Sequence, residues 1–397
     1  MAITITQQPT TYASAYSPMI VKATSTNIAQ PGFQFVVQIL INGKTITLLV
    51  SPNPSNILEI DIHRIVEAFV SVDIKYSDNF IVCSNSYVYY QVRIGEFYNN
   101  TQYLNLANFN AYGFNAIVDY VDLQNGFNVD NYLVDDIKTN ARFLTNAPGR
   151  RMTIKTNQKA YLHYILTSSA GGADYRARIK TYNGATLLNT YEWADGIGAI
   201  GTDKQFRRIA CGTEDIIANG GNITNVTHYT VEIGKVPGFG SYTKRTEAFT
   251  FIIDDVCTKY KTYRIHFLNK LGGFDAFNFT LKDTIITEVQ RKQYERLPSN
   301  EVSTTGVLDY GRRTINVDMQ ERYIVEANWL EDDEFVWLKE LITSPICYLE
   351  TDNATTPLVP IIIRNTSYET KKSNPASKLN QFAIEFELAN TNTRQRF

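Results

Sequence analysis

The sequence predicts a mainly β protein: tandem β-sandwich domains, immunoglobulin-like and then jelly-roll-like, followed by a C-terminal β-rich α+β unit with one clear helix. Three observations predict it. Short runs in which apolar and polar residues alternate recur along the chain, the period of a strand with one buried face. The 397 residues include 25 Tyr and 21 Phe against four Met, and aromatic side chains favour a pleated, half-buried surface. Gly- and Asn-containing pairs sit between the alternating runs, where hairpins need them.

The stretch 263–281, YRIHFLNKLGGFDAFNFTL, organises the rest. On its first arm Tyr263, Ile265 and Phe267 alternate with Arg264 and His266. On its second, Phe277, Phe279 and Leu281 alternate with Asn278 and Thr280. Gly272 and Gly273 between the arms can take positive φ cheaply. The expectation is a hairpin with one aromatic face that needs a covering layer and one solvated face that carries His266.

Residues 1–108 read as the immunoglobulin-like sandwich. A strand begins at Ile3. Residues 33–41 and 44–50 form a hairpin around Asn42-Gly43, a strong short hairpin signal. Asp61 starts a short helix with Ile62, Ile65, Val66 and Phe69 on one stripe. Residues 86–94 are a further strand. Residues 109–255 read as the jelly-roll-like sandwich. Its opening, the Asn- and aromatic-rich 108–126, is expected to be a long ordered loop or surface arm. Strands follow over 141–144, 151–155, 160–167, 175–182, 185–191, 205–210, 228–234 and 248–253, with Gly171-Gly172 and Asn183-Gly184 punctuating hairpins. Residues 256–397 form the third unit, with strands over 314–325, 346–350, 358–365 and 379–389; residues 284–297 read as a strand or a short helix, and their poor helical stripe favours the strand. Residues 331–343 are the helix: acidic residues 331–334 suit its N-terminal dipole, Phe335, Leu338 and Ile342 make its stripe, and Ser344-Pro345 ends it.

Composition narrows the function. A formal net charge of −2 gives no basic footprint for nucleic acid. The N-terminal stretch has neither the basic nor the apolar region of a signal peptide, and no apolar run reaches the ~20 residues of a membrane span. The expectation is a chain made in the cytosol, with Cys83, Cys211, Cys257 and Cys347 as buried free thiols. His63, His163, His228 and His266 are isolated from one another and form no ligand pair. The glycines of 196–201, GIGAIG, lack the strand before and the helix after that a phosphate-binding turn requires. The acidic run 331–334 lacks the spacing and glycine of a calcium loop. No catalytic residue, cofactor site or metal site is expected, and the chain reads as a non-enzyme.

The Tyr- and Asn-rich stretches 87–103 and 108–120 supply large rings and adaptable hydrogen bonds. Tyr98, Tyr103, Phe109, Tyr112 and Phe114 are candidate interface residues, with Phe397 of the tail 390–397. The alternative is a carbohydrate- or receptor-binding module in which Trp193, Tyr182 and Tyr191 of the middle unit stack on a host surface glycan.

Four stretches carry a resemblance: 31–44 (PGFQFVVQILINGK) with Asn53-Pro54 and 61–66; 267–279 (FLNKLGGFDAFNF); Trp329-Leu330 with 337–345 (WLKELITSP); and 360–372 (PIIIRNTSYETKK) with 385–390. In these the chain resembles structural neck, tail and baseplate proteins of tailed bacteriophages infecting Bacteroidetes, including the crAss-like phages. The resemblance touches both ends of the chain and is weaker in the middle. It implies a virion protein assembled in the host cytoplasm, with other virion proteins as partners, a homo-oligomeric ring as its state and no catalytic residues to carry over.

Overall fold

The computed structural model describes residues 3–73, 80–167, 174–194, 205–236, 240–256, 259–295, 312–353, 357–365, 382–390 and 392–393. Gly171, Gly172, residues 196–201, Cys257 and Phe397 lie outside them. The chain is mainly β, with 53% strand and 10% helix, as the alternation predicts. It divides into two compact units. Residues 1–254 and 269–275 form one; residues 255–268 and 276–397 form the other.

In the first unit, a three-stranded sheet (Ile3–Gln7, Ile20–Ser25, Leu58–Asp61 in spatial order) shares one core with a five-stranded sheet (Tyr12–Ser14, Thr101–Phe114, Tyr87–Tyr98, Gln34–Ile41, Lys44–Val50). Ile3, Val21 and Leu58 of the one pack with Phe35, Val37, Ile39, Tyr90 and Val92 of the other. The hairpin at Asn42-Gly43 forms as read, with both residues at positive φ (46° and 73°). The Asp61 carboxylate accepts the Met19 and His63 N–H groups at 2.9 and 3.1 Å. That fixes the start of the helix His63–Glu67, whose Val66 is buried.

The expected loop beginning at residue 108 is instead part of the 14-residue strand Thr101–Phe114. It turns back on Tyr87–Tyr98 through Asn99 and Asn100, both at positive φ. The Asn residues at 108 and 110 alternate with buried Phe109 and Ala111. A strand with polar amides on its open face keeps period two but reads as loop by composition.

Two further sheets follow in the same unit. One has the order Leu133–Val134, Tyr161–Leu166, Gln205–Ala210, Phe80–Val82. The other has the order Arg151–Ile154, Phe249–Ile253, His228–Val236, Asp174–Asn183, Thr186–Ala194, with Thr243–Lys244 added to His228–Val236. The Phe143 ring stands edge-on to Tyr164 of the first and Phe249 of the second, at 6.5 and 6.3 Å. The Tyr229 hydroxyl donates to the Cys211 carbonyl at 2.8 Å. Residues 141–144 are not a strand: Ala141 makes a single bridge to Thr246, and Phe143 and Leu144 are core. The helix Thr213–Ala218 is new; at six residues it is too short to show a stripe. Cys83, Cys211 and Cys347 are buried and form no disulfide.

The second unit is built on one sheet, ordered Phe274–Phe279, Tyr263–Leu268, Cys347–Glu350, Leu358–Ile363, Ala383–Leu388, Arg312–Glu326, Asp283–Glu295, with Asn392–Thr393 also on Arg312–Glu326. The expected helix runs as two segments, Asp332–Trp337 and Lys339–Thr343, joined at Leu338, which keeps right-handed φ and ψ. Glu334 closes its first turn by accepting the Glu331 N–H. Trp337 covers the aromatic face of the hairpin, 5.7 Å from Phe267 and 6.2 Å from Phe277.

The hairpin's other face is not solvated. Arg264 and His266 are 2% and 1% exposed. His266 Nε2 lies 2.7 Å and Arg264 Nε 3.3 Å from the same Glu350 oxygen, and Arg264 also donates to Asn278 at 3.1 Å. Alternation in sequence reports polarity; here the polar face is buried too, because the neighbouring strand Cys347–Glu350 brings a carboxylate to meet it.

The hairpin tip, 269–275, belongs to the first unit. Leu271 is 1% exposed in a cluster with Tyr12, Phe114, Tyr132, Leu144, Ile165 and Phe206. Asn269 uses both ends of its amide: Oδ1 accepts the Leu271 and Gly273 N–H groups at 3.0 Å, and Nδ2 donates to the Leu144 carbonyl and to Asp275. The Phe274 N–H donates to Nδ1 of buried His163 at 3.2 Å. Burial, and then the charge of Arg208, hold the His163 pKa well below its ordinary value, which keeps that nitrogen free to accept. Gly272, at φ +85°, has the Asn115 carbonyl oxygen 1.9 Å from where a Cβ would stand. Gly184, at φ +53°, has open space there. Gly184→Ala is therefore expected to cost about 1 kcal/mol, and Gly272→Ala well over ~2 kcal/mol because strain and overlap add. Urea unfolding of the two variants measures the difference.

Candidate interaction surfaces

Five of the six interface residues read from sequence lie among the described residues, and they separate into distinct environments. Tyr98 and Tyr103 stack at 4.8 Å, and Tyr98 continues the ladder to Phe33 at 6.3 Å. Tyr103 is 40% exposed and presents the ladder's outer ring. Desolvation, and then the hydrogen bond with Tyr103, raise the Tyr98 phenol above its usual range. Tyr112 lies between Tyr12 (5.8 Å) and the exposed Tyr89 (5.1 Å). Phe109 and Phe114 are buried, the first in the sandwich core and the second in the cluster around Leu271. Phe109 falls on the same side of the strand as buried Ala111, and Phe114 on the opposite side, where the cluster around Leu271 covers it; neither ring is open to a partner.

The glycan-stacking trio is not a platform. Trp193 is buried opposite Ala177, and Tyr191 lies opposite Ile179 on the same inward-facing side. The Tyr182 ring stacks on His228 at 4.9 Å on the opposite side, with Arg178 and Lys180. The Tyr191 hydroxyl accepts the Asn222 N–H at 2.9 Å. The charges on the outer face neutralise one another: Glu232 has Lys180, Lys244 and Arg178 within 4 Å, and Arg178 also pairs with Glu192 at 2.7 Å.

Two exposed features were missed in the sequence. The helix Tyr120–Gln124 is started by Asp119, whose N–H donates to the Asp122 carboxylate at 3.1 Å. It buries none of its residues, and Tyr120, Val121 and Leu123 are all more than half exposed. It lies within 108–126, which the sequence reads as a loop or surface arm.

The second feature is the ribbon of Asp283–Glu295 and Arg312–Glu326. Along Arg312–Glu326, Ala383–Leu388 pairs with 322–326 and Asn392–Thr393 with 318–319. Among the described residues, 291–295 and 312–317 thus pair with each other alone. Six residues of strand reach about 20 Å. Among the described residues, the strand Asp283–Glu295 forms the sheet's edge; it is exposed along most of its length, with Ile285, Val289 and Tyr294 between 40% and 52% exposed.

Among the described residues, no group of three or more His, Cys, Asp or Glu side chains is placed to hold a metal ion, and no helix is long and apolar enough to cross a membrane.

No protein-family model and no curated protein sequence matches the chain. Among solved structures it is similar to the FN1–FN3 domains of chicken CNTN1, at 9% identity over 62% of this chain and 66% of that one, with a TM-score of 0.18. The chain thus spans just under two thirds of that structure's length, and a likeness this slight carries no weight for fold or function.

Trp193→Ala is expected to destabilise the fold by about 3–5 kcal/mol, since it empties a core site. Tyr103→Ala should cost less than about 1.5 kcal/mol, one exposed stacked ring. Thermal unfolding of the two variants checks both.

Proposed function

We propose that the chain is a non-enzymatic structural virion protein of a phage neck, tail or baseplate, assembling in multiple copies in the host cytoplasm through its β-domains. The observation that carries the reading is the ribbon: an ordered, two-stranded projection with open faces, an edge that no other described strand pairs with, and exposed apolar side chains. A two-stranded hairpin by itself is marginal in water, and exposed apolar surface on ordered structure marks contact with another macromolecule. The Tyr103 ladder and the helix Tyr120–Gln124 add ordered, ring-bearing surface of the kind enriched at protein interfaces. The first sandwich, read as immunoglobulin-like, serves as a rigid carrier for these surfaces. The resemblance of the four sequence stretches to phage neck, tail and baseplate proteins supplies the setting.

Closed rings built by head-to-tail contacts give discrete masses. Light scattering on the purified chain over a range of concentrations is expected to give a species near about six or twelve times 45.1 kDa. A 45.1 kDa monomer at every concentration would contradict a self-assembling ring.

A further inference from the structure

We infer that the edge strand Asp283–Glu295 pairs antiparallel with the same strand of a second copy, about a two-fold axis through Gln290. The inference rests on the reading of the chain as a multi-copy assembly and names one of its contacts. Antiparallel pairing of two identical edges places residues whose numbers share a fixed sum opposite each other, on the same face. With Gln290 on the axis, Glu288 faces Lys292 of the second copy, and Lys292 faces its Glu288. Ile286 faces Tyr294, again twice. Val289 faces Arg291, Thr287 faces Gln293 and Ile285 faces Glu295, so no like charges oppose each other from 285 to 295.

Other centres are worse matched. An axis through Val289 sets Asp283 against Glu295, and one through Arg291 aligns no opposite charges. An axis through Thr287 also brings opposite charges together, Asp283 with Arg291, but it overlaps a shorter length of strand and uses a carboxylate already bonded to the Tyr263 hydroxyl at 2.9 Å.

Charges on an edge strand ordinarily keep copies apart. Here both signs are present, four residues apart, so the strand is complementary to itself. Lys292 has no ion-pair partner among the described residues. Glu288 makes only a long contact to Arg322, at 3.5 Å. The pairing would also turn the exposed two-stranded projection into a four-stranded sheet, giving it the extra strands that such a ribbon lacks.

The test is a charge swap in the full chain, read by sedimentation. Lys292→Glu puts two like-charge pairs at the contact and is expected to weaken this association by about tenfold or more. Combining it with Glu288→Lys restores opposite charges and is expected to return the affinity to within about threefold of wild type. If Lys292→Glu leaves association unchanged, or the double variant is no better than the single, the two-fold contact is overturned while multi-copy assembly stands. If the wild type forms a two-fold dimer and nothing larger, and the swap behaves as expected, the contact stands and the ring reading falls. A wild type that stays monomeric overturns both.

Discussion

The first unit depends on a turn that is buried instead of exposed. Residues 269–275 end a hairpin whose arms lie in the second unit, yet Leu271 sits in the first unit's core. A buried turn carries unpaired backbone groups that would each cost free energy. The Asn269 side chain satisfies several of them at once, and the His163 imidazole takes the Phe274 N–H. Gly272 and Gly273 let the backbone come against the carbonyls of Asn115 and Leu144, where a side chain would not fit. The Ile117 N–H donates to the Lys270 carbonyl and Lys270 pairs with Asp122, so the segment leading to the exposed helix is held by the same turn.

The same hairpin carries a buried charged group in the second unit. Arg264, His266 and Glu350 meet with almost no exposure. Such a group adds little net stability over apolar packing, and removing one member is costly because it strands the others. Its geometric consequence is specific. A one-residue slip of Tyr263–Leu268 against Cys347–Glu350 would move His266 and Arg264 to the Trp337 face and separate them from Glu350. The polar face thus fixes the register that the aromatic face alone leaves open.

The fold class was legible because strand periodicity is local. The Asn42-Gly43 hairpin, the strand Gln205–Ala210 and the helix beginning at Glu331 were read where they form. What escaped is non-local. Phe80–Val82 joins Gln205–Ala210 across more than a hundred residues, and no neighbouring residue announces that pairing. The burial of His266 depends on Glu350, and that of Trp193 on the strand beside it. Thr101–Phe114 was obscured by Asn residues, which suit loops by composition but here sit on the open face of a strand. Of the candidate interface residues, alternation alone would have separated Phe109 from its neighbours once the strand was recognised. The ribbon's strands were legible, but not their projection beyond the sheet, because that depends on where Ala383–Leu388 stops pairing.

The central claim is that the hairpin tip is core, not loop. Native-state hydrogen exchange of the Gly273 and Phe274 amides tests it most directly. If the tip is part of the first unit's core, both exchange as slowly as the amides of Tyr161–Leu166, through the same global opening. Exchange as fast as at the surface turn Asn42-Gly43 would contradict the account.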